Sequence, residues 1–394
     1  MGIRKQAHSF CFNSHFAIRN SQFLPHNRPK FDKTLQQLSI AGEISAAVAP
    51  FAGSMAAATW RNDGEKGTPM NVMQRIPMSS EQAGNAVEIN LNAAVMAIDH
   101  DAPCFLSHIR REGPERLAQL PSGPFVPDEH PSLEFGLRAC VREQTGVDLG
   151  YVEQLYTFGD QAARSIGGAI RTPVVTLGYL ALTGTHETQP AEAAQWLSAY
   201  DFLPWEDWRE GRPEALSESL EPRLKAWAQQ GHPNDAPEAA SQRFDRARIA
   251  FGLEGAPWDE ERVLDRFELL QDAGLLSERG NVAGGPTMSF AHRRIMASGL
   301  GRLRAKIKYR PVLFELMAHE FTLFELQRTV EAILGSRLHK QNFRRLVESG
   351  GLVDATQDIR THTGGRPAKL FRFRREVLME RPAPGVRVRG GLAA

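Results

Sequence analysis

Cysteine is scarce in this 394-residue chain: Cys11, Cys104 and Cys140 stand far apart. That spacing excludes a disulfide framework and the paired-thiol pattern of a structural zinc site. Long apolar runs are missing too, since no window approaches the ~20 apolar residues of a membrane-spanning helix. A reducing, cytoplasmic compartment without a membrane partner is therefore expected. Nor is there an excess of charge of one sign, with 47 Lys+Arg against 46 Asp+Glu. The balance conceals a division, however. Residues 301–394 hold 19 basic against 9 acidic side chains, residues 81–300 hold 19 against 33, and residues 1–80 hold 9 against 4. A basic C-terminal module on an acidic body is the electrostatic footprint expected for a polyanionic partner.

Residues 1–80 lack sustained periodicity, and their small-residue run around 46–58 sits too far from Met1 for a signal peptide. They are expected to be a disordered extension, or to precede a functional start near Met73 or Met78.

The strongest pattern lies near the end. Thr322 and Glu325 make a T-x-x-E capping box before a helix with Leu323, Leu326, Val330 and Ile333 on one side. Gly335 closes it. A second helix follows, with Ser336 expected as its cap, Phe343, Leu346 and Val347 on one face, and Arg337, Lys340, Gln341, Arg344 and Arg345 on the other. Gly350 and Gly351 end that helix, Leu352 and Val353 open a strand, and a glycine-rich turn carrying Arg366 and Lys369 precedes another strand. This order describes a winged helix-turn-helix. Its basic face offers donors for phosphates and base edges, so double-stranded operator DNA is the expected partner of those seven residues.

In the acidic body, strand-like segments are expected over Val87–Ile98, Pro103–Ile109, Val152–Phe158 and Pro173–Leu182. Between them Ser132 caps a helix in which Leu133, Leu137, Cys140 and Val141 share a face, ending at Gly146. Residues 186–285 show three helical patterns and are expected to be a helical insertion. A linking helix from about Phe290 to Lys308 places Met296, Leu300, Leu303 and Ile307 on one face, with Arg293, Arg294, Arg302 and Lys306 largely elsewhere.

The stretch 120–160 resembles a Nudix domain in its strand, glycine loop and helix. Anchored on Gly146, Ala139 stands where the family has arginine, and Cys140 and Gln144 stand where it has glutamates, leaving Glu143 alone. Mg²⁺ requires several oxygen ligands, so a degenerate site without metal, catalytic residues or hydrolase activity is expected. The run PDEHPSLEFGLRACVREQTGVDLGYVEQLYTFGD, the strand VVTLGYLAL and the C-terminal NFRRLVESGGLV…GGRPAKLFRF together resemble the Nudix-related NrtR group of transcriptional regulators of NAD metabolism, most closely its alphaproteobacterial NadQ regulators.

The resemblance implies a repressor of NAD biosynthesis or salvage genes, with an adenine nucleotide, NAD or ATP, as effector. A flat apolar slot and cations for phosphates are sought for such a ligand. Arg110, Arg111, Phe125, Tyr156, Phe158, Arg164 and Arg171 flank the expected cleft. The fold expected is an α/β Nudix-like domain over 81–300, a winged helix-turn-helix over 301–380 and a flexible tail from 381, assembled as a homodimer. Two alternatives remain: an active Nudix pyrophosphohydrolase with a basic nucleic-acid-binding tail, and a regulator answering a ligand outside NAD metabolism.

Overall fold

The computed structural model describes residues 87–159, 173–184, 190–192, 194–230, 238–277, 279–280, 286–361, 367–380 and 385–386. The expected N-terminal extension, Arg164, Arg171, Arg366 and most of the expected tail lie outside the described residues.

Polar residues alternate with apolar ones at the start of EINLNAAVMAID and then yield to a run buried on both faces, which makes β1 (Glu88–Asp99) a central strand. His100 and Asp101, both at positive φ, turn the chain into β2 (Ala102–Glu112). Next come β3 (Glu115–Gln119), β4 (Ser122–Pro124), α1 (Leu133–Thr145), β5 (Tyr151–Gly159), β6 (Val174–Leu182), β7 (Ala194–Ser198) and α2 (Ala199–Phe202). After α3 (Glu221–Gln229), α4 (Ala239–Phe251) and α5 (Val263–Asp272), the short strands β8 (Arg279–Gly280) and β9 (Thr287–Ser289) lead into α6 (Phe290–Lys306).

The sheet runs β5-β6-β1-β2-β3-β9-β8, with β4 on β1 and β7 on β2. β1 is parallel to β6 and antiparallel to β2. Helices cover both faces. Leu91, Ala93, Val95 and Leu106 pack with Leu137 and Val141 of α1. Ala94, Met96, Phe105 and Leu180 pack on the other side with Met296, Leu300 and Leu303 of α6.

Two expectations change here. Residues 186–285 are not wholly helical, because β7 pairs with β2 through Cys104↔Ser198 to His108↔Ala194. Five residues are too few for a period-2 pattern to stand out in that Ala-rich stretch. And α6 is not one-faced: Arg293, Ile295, Ser298 and Arg304 are buried along with the expected apolar stripe. The helix lies between the sheet on one side and α5 and α7 on the other, so amphipathic reasoning understates its burial. It also runs across the expected boundary at 300/301, and the described residues belong to one unit, Pro77–Ala394.

The C-terminal part consists of α7 (Leu323–Leu334), α8 (Lys340–Gly350), an antiparallel pair β10 (Val353–Arg360) and β11 (Ala368–Phe373), and α9 (Val377–Glu380). The capping box forms as expected: Thr322 Oγ1 accepts from the Glu325 N–H at 3.1 Å, and Glu325 Oε2 accepts from the Thr322 N–H at 2.8 Å. Ser336, however, does not cap α8. The cap position is His339, and the Ser336 hydroxyl is buried without a partner. Five residues, 335–339, separate the helices, so α8 starts about one turn later than the sequence pattern suggests.

A buried ionic cluster fastens α7 to the body. Glu206, Arg266 and Arg304 have fully buried side chains. Glu206 takes a two-pronged pair from Arg266 (2.6 and 2.8 Å) and a 2.5 Å bond from Arg304. Burial pushes the Glu206 carboxyl up, but the two guanidiniums more than offset this and hold it below its ordinary range. Arg304 also donates to Ile333 O at 2.8 Å, Tyr200 donates to Ala332 O at 2.5 Å, and the Trp208 N–H donates to Gly335 O at 2.7 Å. The last carbonyls of α7, unpaired within the helix, are thus satisfied by the body.

Candidate functional site: a basic helix and a cleft beside α6

α8 amphipathicity puts Phe343 and Val347 in the core and Lys340, Gln341, Arg344 and Arg345 on the surface. None of these four makes an ion pair or side-chain hydrogen bond among the described residues, so their donors are available to a ligand. Asn342, not singled out from the sequence, is exposed beside them. Lys369 is exposed on β11, opposite Ile359. Arg337 differs. It lies before α8, and its guanidinium is engaged by Glu210 at 2.6 Å and Glu331 at 3.2 Å. Those pairs set Arg337 among the contacts that dock α7 and α8 on the body rather than among the free cations.

The second feature is a cavity of about 130 Å³ where the first turn of α6 meets β1, β5 and β6. Asn90, Asn92, Thr176, Phe158, His292 and Arg294 line it. Asn90 stands opposite Thr176 in the β1–β6 ladder, so both polar side chains belong to one neighbourhood of the sheet. Asn92 is buried, with Nδ2 3.4 Å from His292 Nδ1 and Oδ1 without a partner. His292 Nδ1 also accepts from the Leu120 N–H at 3.1 Å, which leaves the proton of the neutral ring on Nε2. Burial drives the His292 pKa down to about 4, so the ring is neutral at physiological pH. Arg294 lies 5.1 Å from the centre of the Phe158 ring and pairs with Glu268. An aromatic face, a guanidinium, an unsatisfied carboxamide oxygen and the N-terminus of a long helix converge here. That is the equipment for a planar, anionic ligand.

Of the seven residues expected at a ligand cleft, the structure brings Phe158 to this cavity and Tyr156 to a neighbouring one further along α6. A bulge between Gln154 and Thr157 turns both toward the helix. Arg110 and Arg111 instead pair in register with Leu117 and Arg116 toward the end of the β2–β3 hairpin, and they line neither cavity. Phe125 is carried to the α1 side by its N–H bond to Ile89 O, and its ring lies 5.7 Å from that of His130, tilted by 32°. Asn90, Asn92, His292 and Arg294 were missed. Their signal was present in INLNAAVMAI: two asparagines at alternate positions of a strand that otherwise becomes wholly apolar.

The Nudix resemblance implies a divalent cation on α1, and the residues present do not fit one. Gln144 uses its amide to bracket Ser122, accepting from its N–H at 3.1 Å and donating to its carbonyl at 2.7 Å. Cys140 packs on Gly123, where a Cβ would lie 3.1 Å from Sγ. Burial, then the Glu143 charge, pushes the Cys140 thiol up to about 11, so it stays neutral. The two positions that carry glutamates in the Nudix pattern thus fasten the glycine loop to the helix. Glu143 lies apart, lining a groove of about 440 Å³ with Phe135, Arg138 and Arg142. Among the described residues no group of three or more His, Cys, Asp or Glu could hold a metal ion.

Comparison with known proteins matches residues 313–373 to the NrtR DNA-binding winged helix domain. The ADPR-responsive transcriptional repressor NtrR of Acinetobacter baylyi is 38% identical over 86 residues, which cover 22% of this chain and 34% of that relative. The matched stretch therefore spans about a third of the curated relative. Among solved structures, Shewanella oneidensis NrtR complexed with a 27mer DNA aligns with 74% of this chain and 95% of its own, at 20% identity and a TM-score of 0.44. A MutT/nudix family protein from Enterococcus faecalis covers 74% and 87%, at 15% identity and a TM-score of 0.42. No helix among the described residues is long and apolar enough to cross a membrane. Residues 313–373 thus match the NrtR type of DNA-binding winged helix domain, and they are carried by an α/β body.

Proposed function

We propose that the chain is a ligand-responsive transcriptional repressor of NAD biosynthesis or salvage genes. Its winged helix reads operator DNA as a homodimer, and its Nudix-like body senses an adenine nucleotide without hydrolysing it. The observation that carries this reading is the free basic face of α8 within a segment that matches an NrtR winged helix. Lys340, Gln341, Arg344 and Arg345 read the major groove, Arg366 and Lys369 serve the wing, and Arg337 holds the unit to the body.

The cavity beside α6 and the likeness to the ADPR-responsive Acinetobacter repressor support an adenine nucleotide as effector. ADP-ribose is accordingly preferred to the NAD or ATP implied by sequence resemblance, and both remain in the test panel. Because Cys140 and Gln144 are committed to the glycine loop, no hydrolysis of these nucleotides is expected with Mg²⁺ present.

The test is fluorescence anisotropy of the full chain on DNA selected by it from a random pool. Binding that is lost in the triple variant Lys340→Ala, Arg344→Ala, Arg345→Ala, and shifted by ADP-ribose, NAD or ATP in the natural protein, is the expected result. Unchanged DNA binding by the triple variant overturns the assignment of α8. Mg²⁺-dependent cleavage of the nucleotide overturns the sensor reading.

A further inference from the structure

One loop of the body grips the turn between α7 and α8. The Trp208 N–H donates to Gly335 O at 2.7 Å, and Glu206 O approaches so closely that a Cβ on Gly335 would lie 2.2 Å from it. Local bonds shape residues 207–211. Asp207 takes a two-pronged pair from Arg209, at 2.8 and 2.7 Å, and the Gly211 N–H donates to Trp208 O at 3.1 Å. Arg209 also donates to Asp101 O. The loop is thus held in one shape, and it delivers Glu210 to Arg337.

The two acids on Arg337 differ in kind. Glu331 is buried, and its carboxylate has other donors: the Gln327 amide at 2.7 Å and the Leu338 N–H at 3.0 Å. Its hold on Arg337, at 3.2 Å, fixes one arm of the guanidinium. The other arm meets Glu210 at 2.6 Å, where the Glu210 side chain is 85% exposed and that of Arg337 43%. An exposed pair is weak, because water competes for it and salt screens it. A guanidinium carries five N–H donors in a fixed fork, so its outer arm can change partner while the inner one stays. Position supplies the competing partner. Arg337 stands three residues before Lys340, the first residue of α8. In a helix-turn-helix the N-terminal residues of the recognition helix reach base edges, so residues just ahead of it pass over the phosphates at the groove rim.

On the DNA-binding reading above, we propose that Glu210 is an intramolecular competitor of DNA for Arg337. Without DNA, the acidic loop of the body occupies the outer arm of the guanidinium. On DNA that arm passes to a backbone phosphate, while Glu331 keeps the inner arm in place. The body thereby lowers the affinity of its own reader, through a contact that involves no residue lining the cavity beside α6.

Fluorescence anisotropy of the full chain on its selected duplex, repeated over a salt series, tests this with Glu210→Ala, Arg337→Gln and the double variant. Glu210→Ala should bind DNA about two- to fivefold more tightly, the worth of an exposed ion pair, with the salt slope unchanged. Arg337→Gln, which keeps a donor for Glu331, should bind more weakly, with a slope shallower by about 0.9, the share of one phosphate contact. In the double variant the gain from Glu210→Ala should be absent. A gain of equal size with and without Arg337 would mean plain repulsion of DNA by the Glu210 charge, and overturns the competition. An affinity unchanged in Glu210→Ala, or a slope unchanged in Arg337→Gln, overturns it as well. If the natural protein binds no duplex, the DNA-binding reading fails and the competition with it.

Discussion

Gly335 shows what a single residue must satisfy at the junction of body and reader. Its φ of 68° lies in the left-handed region, and a Cβ there would collide with Glu206 O and crowd the Arg304 guanidinium and the Tyr200 hydroxyl. Gly335→Ala combines backbone strain with a steric clash, and should lower stability by about 2 kcal/mol or more in chemical denaturation. His292 sets a second residue-scale expectation. Its ring is neutral in the folded state, with a pKa of about 4 against 6.5 when unfolded. Between those values the unfolded chain binds the extra proton. Stability should therefore fall as pH drops from about 6.5 to about 4, by on the order of 3 kcal/mol in total from this group. His292→Gln should flatten the stability profile in that window; a slope there identical to that of the natural protein would refute the assignment.

At the scale of elements, α6 and α7 share a buried junction of unusual chemistry. Arg304 sits three turns along α6 from His292, roughly 18 Å at 1.5 Å per residue, and its side chain holds Ile333 O at the end of α7. Glu206→Gln would leave two arginines buried with no full counter-charge, and a loss of about 3–5 kcal/mol is expected by thermal or chemical unfolding. Replacing a surface pair such as Arg262–Asp265, at 3.5 Å, should change stability by less than about 1 kcal/mol. On α8, Arg344→Ala should leave unfolding unchanged and weaken DNA binding. If Arg344 reads guanine through a two-pronged contact, the loss is about 1–3 kcal/mol and confined to one base position; a phosphate contact would give a uniform loss and a salt slope lower by about 1.

For the whole molecule, the acidic body and basic reader predict how assembly and salt act. DNA affinity should fall linearly on a log–log plot against salt concentration, as bound cations are released from the duplex. The proposed homodimer should read a near-palindromic site with half-site centres about one or two helical turns apart. Sedimentation of the complex checks this, and one protein per operator under all conditions would exclude it. The junction at α7 adds a consequence. Arg337 and Arg328 pair with Glu210 and Asp101 of the body, and α7 and α8 share its apolar core, so the orientation of α8 relative to the cleft is set by packing and ion pairs rather than by a free linker.

Local signals account for much of this protein. The Thr322–Glu325 box, the glycines at 146, 335 and 351, and the apolar periodicity of α1, α7 and α8 are legible in the chain, because each depends on residues within a turn or two of one another. So were the basic face of α8 and the replacement of carboxylates at Cys140 and Gln144. What those two residues do instead was decided by the tertiary structure, which sets the glycine loop against them. The same holds for the cleft. Phe158 was found from its strand, but Asn92 and His292 are 200 positions apart and meet only because α6 packs across β1. Burial of Arg266 and Arg304 was likewise invisible, since a charged residue reads as surface until its partner, Glu206, arrives from a distant turn. Short-range geometry is written in the order of residues; long-range pairing of polar groups depends on which faces the packed core brings together.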